Sequence, residues 1–128
     1  MLKQEGYDLI GAALEVYHTL GGGMAEEIYQ QSFELELSDR GIPFDSKRKL
    51  KIFYKKRELD TTYIPDITAF EAIIGELKSV REILPEHEAQ LLNYMRITNS
   101  PVGYILNFGP VDGLQWKRYV LSKNNLSS

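Results

Sequence analysis

A chain of 128 residues, 43% of them apolar and 26% charged, has the size and balance of one folded domain with a single sizeable core. It contains no apolar run long enough to span a bilayer, and its start lacks the basic, small-residue pattern of a secretory signal. It has no cysteine, which excludes disulfides and thiolate metal sites and makes a reducing cytoplasm the expected home.

Residues 4–20 are expected as the first helix, because Leu9, Ala12, Ala13, Val16, Tyr17 and Leu20 recur at helical spacing. His18 in its last turn complements the helix dipole. The triple glycine at 21–23 ends the helix. A second helix is expected over residues 24–39, stopped by Gly41 and Pro43. Glu26 and Glu27 in its first turn suit the dipole. On a 100° wheel Glu26 shares a face with Tyr29, Phe33 and Leu37, a stripe that should face the core. A carboxylate at the end of that stripe either is satisfied by helix-start N–H groups or takes part in a metal site.

Strands are expected next, over 50–54, 59–68 and 72–78. The run from Lys47 to Arg57 carries seven of the 15 basic residues (Lys47, Arg48, Lys49, Lys51, Lys55, Lys56, Arg57) and no acid. Net charge is only −3 overall, so the chain does not coat nucleic acid by charge alone; this one element is basic on an acidic body. Two readings stand: an exposed edge strand kept soluble by its charges, or a rim that contacts phosphates. Pro85 opens a third helix over 85–97, broken by Asn99, Ser100 and Pro101. Strands over 102–108 and 114–121 follow, and residues 122–128 are expected as a frayed tail. The order α-α-β-β-β-α-β-β describes an α/β (α+β) domain, a three-stranded meander extended into a mixed sheet of about four to five strands with helices packed against it.

The hairpin over 63–79 poses the chemical question. Glu76 and Lys78 are two apart on a strand and share a face. A turn centred on Glu71 sets Asp66 directly across from Glu76, with Cβ atoms roughly 5 Å apart, where like charges destabilise. A divalent cation between the carboxylates would reverse that, and hard oxygen donors suit Mg²⁺ or Mn²⁺. A lysine on the same face can hold an attacking water or steady developing negative charge. The plainer alternative is a solvated face on which Lys78 pairs with Glu76. Pro65 has no N–H for a ladder, so the strand bulges or is unpaired beside Asp66. On the third helix, Gln90 and Tyr94 form an i, i+4 pair on the same face as His87.

Three patterns then combine. Gly23, Glu26 and Tyr29 fit GxxExxY; Pro65-Asp66 with Glu76-Leu77-Lys78 fits PD-(D/E)xK; Gln90 and Tyr94 fit QxxxY. Together with the segment HEAQLLNYMRITNSPVGYILNFG, they make the chain, over residues 5–121, resemble the GxxExxY proteins of the PD-(D/E)XK nuclease superfamily, near its RecB-like branch. The resemblance implies a restriction-endonuclease-like core, a mixed four-stranded sheet flanked by helices. It implies that Asp66 and Glu76 hold Mg²⁺ (Mn²⁺ as substitute), with Glu26 and the Leu77 backbone carbonyl as further ligands. Lys78 would activate water, and Gln90 and Tyr94 would orient Lys78 or touch the nucleic-acid backbone. Tyr29 and His87 would support the site. Two departures stand out: Phe70-Glu71 where such proteins often carry Asp-Gly, and Gly75 in place of a bulky β-branched residue.

The expected function is metal-dependent hydrolysis of phosphodiester bonds in DNA or RNA, with residues 47–57 gripping the strand and little sequence preference. Rival readings are a non-catalytic binding or regulatory module that keeps the fold, and a metal-binding structural protein. No membrane partner is expected, and the oligomeric state is left open, a homodimer included.

Overall fold

The computed structural model describes residues 1–122; the expectation of a frayed tail lies outside these, Ser122 apart. Helix α1 spans Lys3–Leu20 and α2 spans Glu26–Asp39. Leu9, Ala12, Ala13, Val16 and Tyr17 of α1 are buried, as are Tyr29, Phe33 and Leu37 of α2. The helical spacing read in the sequence is thus the buried stripe of each. Gly21 closes α1 at φ 77°, its N–H donating to the Tyr17 carbonyl at 2.7 Å. That left-handed conformation is cheap only for glycine.

Strands β1 (Phe44–Ser46), β2 (Leu50–Tyr54), β3 (Arg57–Tyr63), β4 (Ile67–Ala69) and β5 (Ile73–Lys78) follow, then α3 (Pro85–Thr98), β6 (Val102–Asn107) and β7 (Gln115–Val120). The main sheet runs β1-β4-β5-β6-β7. Only β5 and β6 are parallel, joined across α3; the other pairs are antiparallel. The expected mixed sheet flanked by helices is therefore present, with the helices and strands in the expected succession.

Two details differ from the sequence reading. The expected strand over 59–68 is two strands in two sheets: β3 pairs with β2 in a separate hairpin, and β4 pairs with β1 and β5. There is therefore no three-stranded meander. Pro65, which cannot donate to a ladder, lies in the break between them. The short strand β1 was not anticipated, because three residues after a Gly and a Pro read as loop.

The sheet separates two apolar clusters. On one face Ile67, Ala69, Ile73, Leu77, Val102, Tyr104 and Leu106 pack with α1 and α2. On the other, Ile74 and Ile105 pack with Leu91 and Met95 of α3 and with Ile52 and Tyr63 of the β2–β3 hairpin. At Gly103 a side chain would collide with Met95, its Cβ lying 2.7 Å from Sδ, so the glycine lets α3 sit close on β6. Alternation along β5 puts Glu76 and Lys78 on the face of α3 and the hairpin, opposite to Leu77.

Candidate functional site

The β4–β5 hairpin sets the geometry. Ile67 pairs with Gly75, Thr68 with Ile74 and Ala69 with Ile73. Continuing this register places Asp66 across from Glu76, and strand alternation turns both toward the side of Lys78. The turn has Phe70 at φ 54° and Glu71 at φ 57°. Three residues, Phe70, Glu71 and Ala72, separate the paired Ala69 and Ile73, and the positive φ of the first two is a conformation that favours Gly or Asn. Here two residues with side chains are held in it by buried strands on either side and by the Phe70 N–H bond to the Pro43 carbonyl, 2.9 Å.

Each carboxylate is fixed by two donors. Asp66 Oδ2 accepts the Leu77 N–H at 2.8 Å, and Oδ1 accepts from the Lys47 ammonium at 2.5 Å. Glu76 Oε2 accepts the Tyr63 hydroxyl at 2.5 Å, and Oε1 accepts the Asp66 N–H at 3.3 Å. The Asp66 carbonyl accepts from Gln30 Nε2 at 3.1 Å and from the Lys47 N–H at 3.2 Å. The Tyr63 ring stacks on Tyr94, centroids 4.0 Å apart and planes 7° from parallel. Among the described residues the Lys78 ammonium has no hydrogen-bond or ion-pair partner. The pairing of Lys78 with Glu76, one reading of the sequence, is not what the structure shows.

The electrostatics follow from this packing. Burial, with the neighbouring Asp66 charge, pushes the Glu76 carboxyl up to about 7, although the Tyr63 hydrogen bond works the other way. Burial and the adjacent Glu76 charge hold the Tyr63 phenol far above its usual range. Burial disfavours the charged form of Lys47, but the Asp66 hydrogen bond and the charges of Asp66, Glu27 and Glu76 prevail and raise it.

Other expected site residues are placed as follows. Glu26 is exposed at the start of α2, and α2 covers the opposite face of the sheet from Glu76 and Lys78. Among the described residues no group of three or more His, Asp or Glu side chains could share a metal ion, so Glu26 does not join Asp66 and Glu76 here. Leu77 contributes its N–H to Asp66; a ligand role for its carbonyl stands only as a proposal. Tyr29 is fully buried, donating to the Gly21 carbonyl at 2.5 Å, accepting the Met24 N–H at 3.1 Å and stacking on Phe108. It shapes the loop before α2 rather than a nucleic-acid surface. His87 Nδ1 accepts the Leu84 N–H at 3.0 Å, capping the start of α3. Tyr94 reaches the site by stacking on Tyr63, while Gln90 is exposed.

The basic run divides. Lys47 belongs to the carboxylate pair. Arg48 faces Asp45 at 3.4 Å and Lys51 faces Glu58 at 4.0 Å. Lys49, Lys51, Lys55, Lys56 and Arg57 are exposed on or beside the β2–β3 hairpin, as are Phe53 and Tyr54. The hairpin turns at Lys55 and Lys56, both at positive φ, with Lys55 5.4 Å above the Tyr54 ring.

Sequence reasoning missed Tyr63 and Gln30. Gln30 did leave a signal: it is a polar side chain one position past Tyr29, on the flank of the buried stripe. Tyr63 left none, because its partner Glu76 belongs to a different sheet.

Residues 3–119 match a family model described as the PD-(D/E)XK nuclease superfamily. No curated protein matches the chain at a significant level. Among solved structures, one described as the crystal structure of SSO0001 aligns with a TM-score of 0.59 at 16% identity, over 78% of this chain. The aligned part is 52% of that chain's length, so the present chain spans about half of it, and the likeness is one of fold.

Proposed function

The chain belongs to the PD-(D/E)XK nuclease superfamily, and on that premise we propose that it hydrolyses phosphodiester bonds of DNA or RNA with the help of a divalent cation, Mg²⁺ or, in its place, Mn²⁺. The fold is the restriction-endonuclease-like one expected of such a protein. The observation that carries the reading is the placement of Asp66, Glu76 and Lys78. Two carboxylates meet across one hairpin, and an ammonium with no partner among the described residues shares their side of the sheet.

The donor set fits a hard divalent ion. Asp66 already binds a cationic group, and Glu76 is driven toward its protonated form by burial and by Asp66. Both are hard oxygen donors, and Glu76 has no cationic partner of its own among the described residues. Asp66 and Glu76 would hold the ion, with the Leu77 carbonyl and Glu26 as further proposed ligands. When bound, the ion supplies Lewis-acid stabilisation of the charge that builds on the phosphate oxygens. Lys78 holds the attacking water and steadies that charge. Water oxygen bonds to phosphorus, the P–O3′ bond breaks, and the 3′-oxygen leaves with a proton. The β2–β3 hairpin, with exposed Lys49, Lys51, Lys55, Lys56 and Arg57, grips the backbone. Its exposed Phe53 and Tyr54 offer faces for unpaired bases.

Assignment to the GxxExxY proteins near the RecB-like branch is part of the same proposal, supported by Gly23, Glu26, Tyr29, Gln90 and Tyr94. No helix among the described residues is long and apolar enough to cross a membrane; a cytoplasmic location is proposed from the cysteine-free composition.

A second reading, a binding module without turnover, is favoured by one observation: Lys47 neutralises Asp66, while Glu26 is exposed and forms no three-carboxylate group with Asp66 and Glu76. Labelled single- and double-stranded DNA and RNA, incubated with Mn²⁺ or EDTA, separate the two. Cleavage that needs the metal and falls on the order of 10²- to 10³-fold in Lys78→Ala is expected. Binding without cleavage supports the second reading, and equal cleavage by the variant excludes the site.

A further inference from the structure

Lys47 is the least expected member of the site. Its sequence context is the stretch 47–57, which holds seven basic residues and no acid, yet it is clasped to one acid at two points. The ammonium lies 2.5 Å from Asp66 Oδ1, and the Lys47 N–H donates to the Asp66 carbonyl at 3.2 Å. The β1–β4 register produces this clasp. Ser46 pairs with Ile67, so Lys47 is the next residue out, facing Asp66. Its φ of 55° is the left-handed conformation that residues with a Cβ disfavour, and here it turns the chain out of β1 with the side chain over Asp66. Gln30 holds the same Asp66 carbonyl from α2.

The consequence is that both Asp66 oxygens are already committed, Oδ2 to the Leu77 N–H and Oδ1 to the Lys47 ammonium. The amide is buried within the sheet. The lysine is not: half of its side chain is exposed, so its ammonium can be hydrated at once on release. Of the two donors it is the one that can give way. Resting on the metal reading above, we infer that Lys47 is the resident counter-ion of Asp66, which competes with the divalent cation and is displaced by it. Its backbone stays anchored to Asp66, so the freed ammonium remains at the mouth of the site, within side-chain reach of a phosphate bound there. Lys47 is a positioning residue for metal entry rather than part of the hairpin's grip.

Calorimetric titration of Mn²⁺ into the metal-free protein, with no nucleic acid present, tests this. Lys47→Met keeps the length and stem of the side chain and removes the competing charge. It should bind Mn²⁺ roughly tenfold more tightly than wild type, while its metal-free form melts at a lower temperature. Lys47→Arg, which restores the charge, should return the affinity toward the wild-type value. Lys49→Met, removing an exposed charge close by in sequence, should change affinity by no more than about twofold. Equal affinity in wild type and Lys47→Met overturns the inference and leaves the metal site standing. So does equal tightening in Lys49→Met, which would make the effect one of general charge. Absence of Mn²⁺ binding in every form overturns both. Should Lys47→Met fail to fold, Lys47→Gln against Lys47→Arg provides the same comparison.

Discussion

Two hairpins adjacent in sequence have opposite characters in this protein. The β4–β5 hairpin is buried on both faces, carries the two acids, and has an unbroken register. The β2–β3 hairpin is mostly exposed, basic near its tip, and has a bulge between Lys51 and Phe53. They meet at Tyr63, the last residue of β3, whose hydroxyl bonds Glu76 and whose ring lies on Tyr94. On the function proposed above, the difference separates two tasks. Chemistry needs side chains held to a fraction of an ångström, so it is built where burial fixes the register. Gripping a polyanion needs charge and reach, which an exposed hairpin provides without precise placement.

The largest test of this contrast bears on the buried hairpin. Burial, with the Asp66 charge, pushes the Glu76 carboxyl up to about 7 in the folded protein, above the ordinary 4.5 of the unfolded chain. Between those pH values the native state binds more protons, so stability falls as pH rises. The loss is on the order of 3 kcal/mol in metal-free protein, read by urea unfolding in EDTA. Glu76→Gln should flatten that slope. Glu88 contributes with the opposite sign. Hydrogen bonds from Lys117 and Tyr119 hold Glu88 below its usual range, so its contribution is lost as pH falls through that lower value.

The exposed hairpin should fail differently. Replacing Lys55, Lys56 and Arg57 together by Gln should weaken nucleic-acid binding by roughly tenfold or more. It should also lower the slope of log affinity against log salt, by up to about 0.9 for each phosphate no longer neutralised on duplex and about 0.7 on single strands. Turnover at saturating substrate should be unchanged. A loss of turnover with unchanged affinity would assign the hairpin to catalysis.

The smallest effect lies at the junction. Tyr94→Leu removes the stacked ring but leaves an apolar side chain, and should cost about 1 kcal/mol of stability. If Tyr94 also aims Tyr63 at Glu76, the variant's metal affinity falls as well. An unchanged affinity would make the stack purely structural.

Much of the β4–β5 hairpin was legible in the sequence. Period-two alternation and a turn at Phe70-Glu71 were enough to place Asp66 across from Glu76, although neither turn residue favours positive φ. The helix ends were legible too, because Gly21, Gly41, Pro85 and Asn99 each have a local conformational reason to stop or start a helix. The split at Pro65 was harder: Thr61, Thr62, Tyr63, Ile67 and Thr68 all favour strands, and only the absence of one N–H marks where the chain changes sheets. Lys47 was read as part of the basic run that would grip the strand, but its pairing with Asp66, and the role of Tyr63, could not be read, since both depend on contacts between separate elements. Glu26 shows the converse. Its helix stripe was read correctly, but which face of the sheet α2 covers is a tertiary fact, and it is the face away from Glu76 and Lys78.

Asp66 and Glu76 are proposed to hold one divalent ion between them. Electron paramagnetic resonance of Mn²⁺ added to the protein near pH 7.5 tests it most directly, with wild type, Asp66→Asn and Glu76→Gln compared at equal concentration. The expected result is one bound ion per chain in wild type and no saturable binding in either variant. Saturable binding that survives Glu76→Gln unchanged would contradict it.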